Sequence, residues 1–501
     1  MKTSAGDLIK QVPAIGSAWL KAETLLLIGI LVLGFGLRVW AATGDLWFDE
    51  IWTVKSVQGL AGAGEIFTQW ISDNNHPLNS LYVFWFQEQT HAVSVRAFSI
   101  AVGTGSILAA YWAAAARGLR VRLLFAFQVA VAFPFVLYGS EARGFAGMSL
   151  CAIIAVGIVE RHLNTNKDSP YAIALAGCVV VGGLFHMTFF LLAFALGLWV
   201  LSTRLRQEDW HIGNAVSRVY RFFRPAIFSL LFFAVLLNAL LLLNPATIVE
   251  VGSIAHFEWH QVDKGYDRLL RHFFGIEQTP PFIVQGLLLA ALFAAVKYAR
   301  PKPKTHPDIT VLAAIALGII PLNMVVAHLP NLQYPRYFLG LLVVLCYWLA
   351  ILIAQASKAS RLKRFIAAAL SVAFIAGQVS QFVGFSEPRR GQYRLAIEQM
   401  SQAGGALYSA AEPHRTVVTI DYFLATHFQD GSLTHISPED IECASPPQWY
   451  IVEFRIPLAH VPQHETLAAQ DCELVFDLYE AFPHYRLSGI SWALYRPANQ
   501  N

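Results

Sequence analysis

The sequence predicts a polytopic α-helical membrane protein of about 11 transmembrane helices, followed by a small C-terminal α/β soluble domain. Three observations predict it. Hydrophobic residues make up 56% of the chain and charged residues 14%, with a mean hydropathy of +0.48; soluble domains carry about 25% charged residues. Apolar runs recur at a length that crosses a bilayer, roughly 20 residues at ~1.5 Å rise each. After Gly384 this pattern stops, and short alternating segments replace it.

The first span is Glu23–Thr43. Met1–Leu20 before it is weakly polar and basic, and no small-residue cleavage site follows a short apolar core, so the run reads as a retained helix. A polar and aromatic segment leads to Arg96–Ala116 and Leu123–Tyr138. Phe145–Glu160, Pro170–Phe185, Thr188–Thr203 and Pro225–Pro245 follow. An irregular stretch, Ala246–Pro281, then precedes Phe282–Tyr298, Ile309–His328, Arg336–Ala354 and Phe365–Gly384. The domains are therefore 1–384, with juxtamembrane helices over 44–95, and 385–501.

Basic residues orient these spans. Alternate loops collect Arg117/Arg120/Arg122, Arg161/Lys167, the arginines between Arg204 and Arg224, Lys297/Arg300/Lys302/Lys304 and Lys358/Arg361/Lys363/Arg364. The positive-inside rule puts those loops and the N-terminus in the cytoplasm. An odd span count then places the C-terminal domain outside, on the side of the loop after the first helix. The net charge of +3 is small and gives no footprint for nucleic acid.

The polar motifs gather on that outer side. Leu46-Trp47-Phe48-Asp49-Glu50 sets carboxylates among aromatic rings at the membrane face. An acid there is either a solvated loop residue beside aromatic anchors or a functional group facing a polar cavity. Glu65–Trp70 reads as a short interfacial helix. Asp73-Asn74-Asn75-His76-Pro77 offers donors and acceptors for sugar hydroxyls, or simply a turn and helix cap. Tyr138-Gly139-Ser140-Glu141-Ala142-Arg143 is a short turn between two spans. Snorkelling accounts for Arg143 but less easily for Glu141. His186 ends a span and reads locally as a structural histidine; Arg336-Tyr337 opens another span.

Taken in order, these motifs resemble the GT-C superfamily of polyprenyl-phosphate-sugar glycosyltransferases. The resemblance is to the bacterial branch that includes protein O-mannosyltransferases, lipid A aminoarabinose transferase and lipopolysaccharide galacturonosyltransferases. Arg38, Trp47, Asp49, Glu50, Asp73, His76, Pro77, Tyr138, Ser140, Glu141, Ala142, Arg143, His186, Arg336 and Tyr337 carry it, across roughly Glu23 to Gly384. One departure is Leu78-Asn79, where many relatives have a second proline after His-Pro.

The resemblance implies a GT-C-like fold in a bacterial inner membrane and inverting transfer of a sugar from a polyprenyl-phosphate donor. The acceptor would be a hydroxyl of an envelope lipid, glycan or protein. Asp49 matches the residue that takes the acceptor's proton, with Glu50 orienting it or the acceptor; two carboxylates so close should push one pKa upward. Arg143 and Arg336 are the candidates for the lipid phosphate, since guanidinium forks match its oxygens. Asp73, Asn75, His76, Tyr138, Glu141, His186 and Tyr337 are candidates for substrate contact. A monophosphate leaving group requires no metal or other cofactor, although a divalent ion between Asp49, Glu50 and His76 is a minor alternative.

In the tail, Gln392–Ala410 reads as a helix, and Thr416–Ile420, Trp449–Ile456, Glu473–Leu478 and Ile490–Tyr495 read as strands. Cys443 and Cys472 are its two cysteines. Outside the cytoplasm they are expected to pair; inside, they would be free thiols. Two other classes share the composition. One is an O-antigen ligase or polymerase using a diphosphate-linked donor, which the basic residues Lys264, Arg268 and Arg271 keep open. The other is a lipid-linked sugar flippase, for which midplane polar residues in paired, broken helices would be expected.

Overall fold

The computed structural model describes residues 15–72, 74–165, 169–208, 210–243, 248–250, 258–275, 280, 286, 307–326, 334–402, 406–428, 432–454, 458–469 and 472–498. Among them, 8 helices are long and apolar enough to cross a membrane, and Pro170–Phe185 is a shorter apolar helix. The chain is a multi-pass membrane protein. Its first helix, Ile15–Ala41, turns Leu25, Leu26 and Val32 outward, more than half exposed, as a lipid-facing surface requires. Helices Phe145–Thr165 and Leu339–Ala356 are buried almost throughout and form the centre of the bundle.

Several expected boundaries moved. Leu123–Tyr138 is not one span. It divides into Leu119–Val131 and Phe133–Tyr138, because Ala132 is extended and Pro134 sits in the first turn of the second helix. The groups freed by this break are satisfied from elsewhere. Arg38 donates to the Val129 and Ala130 carbonyls at 3.0 and 3.3 Å, and the Phe133 N–H donates to Gln378 at 2.8 Å. A buried arginine in the first helix thus has a structural task. Helix Ile212–Leu243 starts well before Pro225, which lies inside it. The stretch expected to be irregular contains helix Trp259–Phe274. Phe282–Tyr298 lies outside the described residues.

Short helices Phe48–Gln58, Glu65–Thr68, Pro77–Trp85 and Ala92–Val95 fill the juxtamembrane segment. Strand β1, Trp70–Ser72, pairs in parallel with β2, Ile248–Glu250.

The C-terminal domain is a six-stranded mixed sheet. Strands β3 (Ala406–Ala410), β4 (Leu433–His435), β5 (Trp449–Phe454), β6 (His464–Ala468), β7 (Glu473–Phe482) and β8 (Ser491–Pro497) take the order β4-β3-β5-β8-β7-β6. β3 runs parallel to β4 and β5, and the remaining neighbours are antiparallel. The expected helix at Gln392–Ala410 stops at Ser401, and its last residues form β3. The expected strand Thr416–Ile420 is helical, within Pro413–His427. Its β-branched residues favoured a strand, but Thr416, Thr419, Ile420 and Phe423 are buried at helical spacing behind a proline in the first turn.

Cys443 and Cys472 are bonded, with Cα atoms 6.2 Å apart and a sequence separation of 29. Replacing both with serine is expected to lower the domain's unfolding free energy by about 3–4 kcal/mol, from the loop-closure entropy returned to the unfolded chain. Denaturant titration with and without reductant checks this; coincident curves would refute it.

Candidate functional site

The acidic stretch opens helix Phe48–Gln58, so Asp49 and Glu50 lie in a first turn where the helix dipole favours negative charge. From there the two carboxylates diverge. Arg96 donates to both Glu50 oxygens, at 2.8 and 2.5 Å, and its remaining N–H groups reach the Ala42, Gly44 and Asp45 carbonyls. The Ala142 and Trp47 amides complete the shell at 2.7 and 3.3 Å. Glu50 is fully buried. Burial alone would raise its carboxyl, but the charge and hydrogen bonds of Arg96, then Arg390 and the Ala142 amide, hold it below the usual carboxylate range. The expected pairing of Asp49 with Glu50, with one carboxyl pushed up, is therefore not how Glu50 behaves. Arg96, missed from sequence, neutralises it.

Asp49 faces the other way, and its side chain is 20% exposed. Arg143 forms an ion pair with it, and Arg336 Nη1 stands 3.4 Å from the same Oδ2. Arg143 also donates to His76 Nε2 at 3.2 Å and to Asn74 Oδ1 at 2.8 Å. Asn74 returns a bond to the Asp49 carbonyl at 2.9 Å, which ties its turn to the helix start. Around the arginines stand aromatic rings. Arg336 lies 4.6 Å from the Tyr334 ring, 5.4 Å from Tyr337 and 5.5 Å from Trp47, while Arg143 lies 5.1 Å from Phe145. These are cation–π distances. The buried Arg336 Nε has no hydrogen-bond partner among the described residues.

His76 stacks on His186 at 5.0 Å, and His186 lies 5.9 Å from Tyr337. Burial, then the neighbouring Arg143, His186 and Arg336 charges, holds His76 well below its usual range. Burial, then Arg143 and Arg336, pulls His186 down to about 3. Both rings are therefore neutral at pH 7, and His76 can accept from Arg143. The backbone leaves no spare room here. A side chain on Gly144 would meet the Phe185 carbonyl oxygen at 1.8 Å and His76 Cβ at 3.0 Å.

The histidines make stability depend on pH. An unfolded histidine takes its proton near pH 6.5, whereas folded His186 does so only at about 3. Between those values the unfolded state binds more protons, so stability falls as pH falls. The melting temperature of the solubilised protein is expected to drop from pH 7.5 to pH 5, with a shallower slope in His186→Phe. An unchanged slope in that variant would contradict the assignment.

Of the expected contact residues, the structure brings His76, His186 and Tyr337 to the Asp49–Arg143–Arg336 cluster. Asn75 is not among them; it donates to the Ile66 and Trp70 carbonyls and accepts from Ser80, holding its own loop. Asp73 lies outside the described residues. Glu141 accepts from Ser488 and Arg390 of the C-terminal domain. Tyr138 donates to the Leu487 carbonyl, and its ring packs 5.6 Å from Phe145, one of the rings around the arginines. Glu50, engaged by Arg96, does not join Asp49 and His76 as a ligand set. Among the described residues no group of three or more His, Cys, Asp or Glu side chains is placed to hold a metal ion.

No family model and no curated protein sequence matches the chain. Solved structures do. ArnT from Cupriavidus metallidurans bound to undecaprenyl phosphate is similar at a TM-score of 0.46 and 12% identity, over 92% of this chain and 98% of that one. AglB from Archaeoglobus fulgidus, in complex with an inhibitory peptide and a dolichol-phosphate, is similar at 0.45 and 11% identity, over 88% and 70%. The apo Archaeoglobus fulgidus oligosaccharyltransferase is similar at 0.43 and 12% identity, over 80% of this chain, which spans 64% of its length.

Proposed function

We propose that the protein transfers a sugar from a polyprenyl-phosphate donor to a hydroxyl acceptor at the outer face of a bacterial inner membrane. One observation carries this reading: a partly open carboxylate, Asp49, sits between two nearly buried arginines inside a ring of aromatic side chains. A carboxylate can take a proton, two guanidinium groups can hold a phosphate, and the surrounding apolar helices suit an isoprenoid tail. The ordered motifs that resemble the GT-C superfamily support it. Orientation follows the basic loops, and the bonded cysteines suit a domain outside the cytoplasm.

In the resting protein Asp49 is the shared partner of both arginines. An incoming phosphate competes for them. Arg336 is the first to transfer, because its contact with Asp49 is the longer and its Nε is uncommitted. Asp49, relieved of that partner, accepts the proton of the acceptor hydroxyl as the oxygen attacks the anomeric carbon. The glycosidic C–O bond breaks on the opposite side with inversion, and the electron pair leaves on the lipid phosphate. The arginines stabilise that growing charge, a task worth about 10²–10³ in rate per donor where measured in other enzymes. The reaction as proposed uses no metal, since two fixed cations serve the monophosphate.

Donor preference tests the reading against its alternatives. Purified protein should release polyprenyl monophosphate from monophosphate-linked sugars. Release of a polyprenyl diphosphate instead would indicate a ligase or polymerase, and movement of the intact lipid-linked sugar across vesicles without cleavage would indicate a flippase.

A further inference from the structure

We propose that the C-terminal domain positions the phosphate-binding Arg143 through Ser488 and Arg390, which grip Glu141 two residues before it. This inference rests on the proposed role of Arg143.

The grip is buried and continuous. Ser488 Oγ donates to Glu141 Oε1 at 2.5 Å, and Arg390 Nε approaches the same oxygen at 3.3 Å. Arg390, 2% exposed, also donates to Ala41 O at 2.6 Å, Leu137 O at 2.7 Å and Ser140 Oγ at 2.9 Å. Glu141 Oε2 is buried with no hydrogen-bond partner among the described residues. Its placement therefore depends on the two donors at Oε1, of which Ser488 is the shorter. The next residue supplies the Ala142 amide to Glu50, and the next is Arg143, ion-paired with Asp49. One short turn is thus held by the C-terminal domain at Leu137, Ser140 and Glu141, and it holds the site at the two residues that follow Glu141.

The sheet domain is built to deliver this contact. Gly489, beside Ser488, has φ +111°, and a side chain there would meet the Arg390 carbonyl oxygen at 1.8 Å. Tyr393 donates to that carbonyl at 3.0 Å and accepts from the Ile490 amide at 2.9 Å. The segments carrying the two gripping residues, nearly 100 positions apart in sequence, are tied to each other through Tyr393 independently of Glu141. A buried carboxylate with half its acceptor sites unused is costly to keep. A contact serving only to attach the domain could use an apolar pair.

Ser488 and Arg390 are positioning residues and touch no substrate. Ser488→Ala removes one hydroxyl and should lower kcat by roughly 10–100-fold, the scale of a small misplacement of a catalytic group. Amide exchange should quicken in the peptide Leu137–Phe145, while strands β5, β7 and β8 exchange at the wild-type rate. Combined with Glu141→Ala, Ser488→Ala should cost nothing further, because the two act through one contact. Multiplying losses in the double variant would overturn the proposal. So would exchange accelerated equally across the sheet, or exchange in the turn that stays at the wild-type rate. If the wild-type protein releases no lipid phosphate from any donor, the functional reading falls, and exchange in the turn still decides the coupling.

Discussion

Asp49→Asn protein is expected to fold, to bind undecaprenyl phosphate at least as tightly as the wild type, and to transfer sugar about 10²–10⁴-fold more slowly. The amide is nearly isosteric with the carboxylate but cannot take the acceptor's proton. It also removes the negative charge that competes with phosphate for Arg143 and Arg336. Activity and affinity should therefore move in opposite directions. A merely structural Asp49 would lose binding and transfer together, since the arginines would lose their anchor. Fluorescence-based titration of the lipid phosphate, alongside turnover, separates the two outcomes. Near-wild-type turnover would remove Asp49 from the mechanism.

The second large effect concerns the arginines. Arg336→Ala and Arg143→Ala should each lower transfer by about 10²–10³-fold, because each removes a preorganised donor from the leaving phosphate. They should differ in stability. Arg143 is tied to Asn74, His76 and Asp49, so its loss takes the donor from Asn74 and His76 and leaves Asp49 only its longer contact with Arg336. Arg336 Nε has no hydrogen-bond partner among the described residues, and its rings can close over the gap. Arg143→Lys should rescue little, since a point charge cannot reach His76, Asn74 and Asp49 at once. If both alanine variants bind undecaprenyl phosphate as the wild type does, the phosphate lies elsewhere.

The membrane helices were legible because apolar length is a local property. Tertiary contacts override it at Ala132-Phe133-Pro134, which breaks a span because Arg38 and Gln378 satisfy the exposed backbone. Thr416–Ile420 read as a strand because β-branching is visible in sequence and the partner surface is not. At the site, Asp49, Arg143 and Arg336 stood out as charges at membrane depth, and the cluster joins residues nearly 290 positions apart by contacts that no spacing encodes. The partners of Glu50 and Glu141 were not legible in the sequence, for one shared reason. Each is an acid in the right segment whose partner, Arg96 or Arg390, lies far away in sequence. Arg96 carried a usable signal, an arginine at the head of an apolar helix that must find a counter-charge.

The proposed reaction transfers one sugar per lipid phosphate released, with Asp49 as the base. Protein in liposomes containing an undecaprenyl-phosphate sugar and a hydroxyl acceptor should yield undecaprenyl phosphate and glycosylated acceptor in equal amounts, with inverted anomeric configuration. Asp49→Asn protein in the same liposomes should yield both about 10²–10⁴-fold more slowly. Retained configuration, or lipid phosphate released equally by both proteins, would contradict the account.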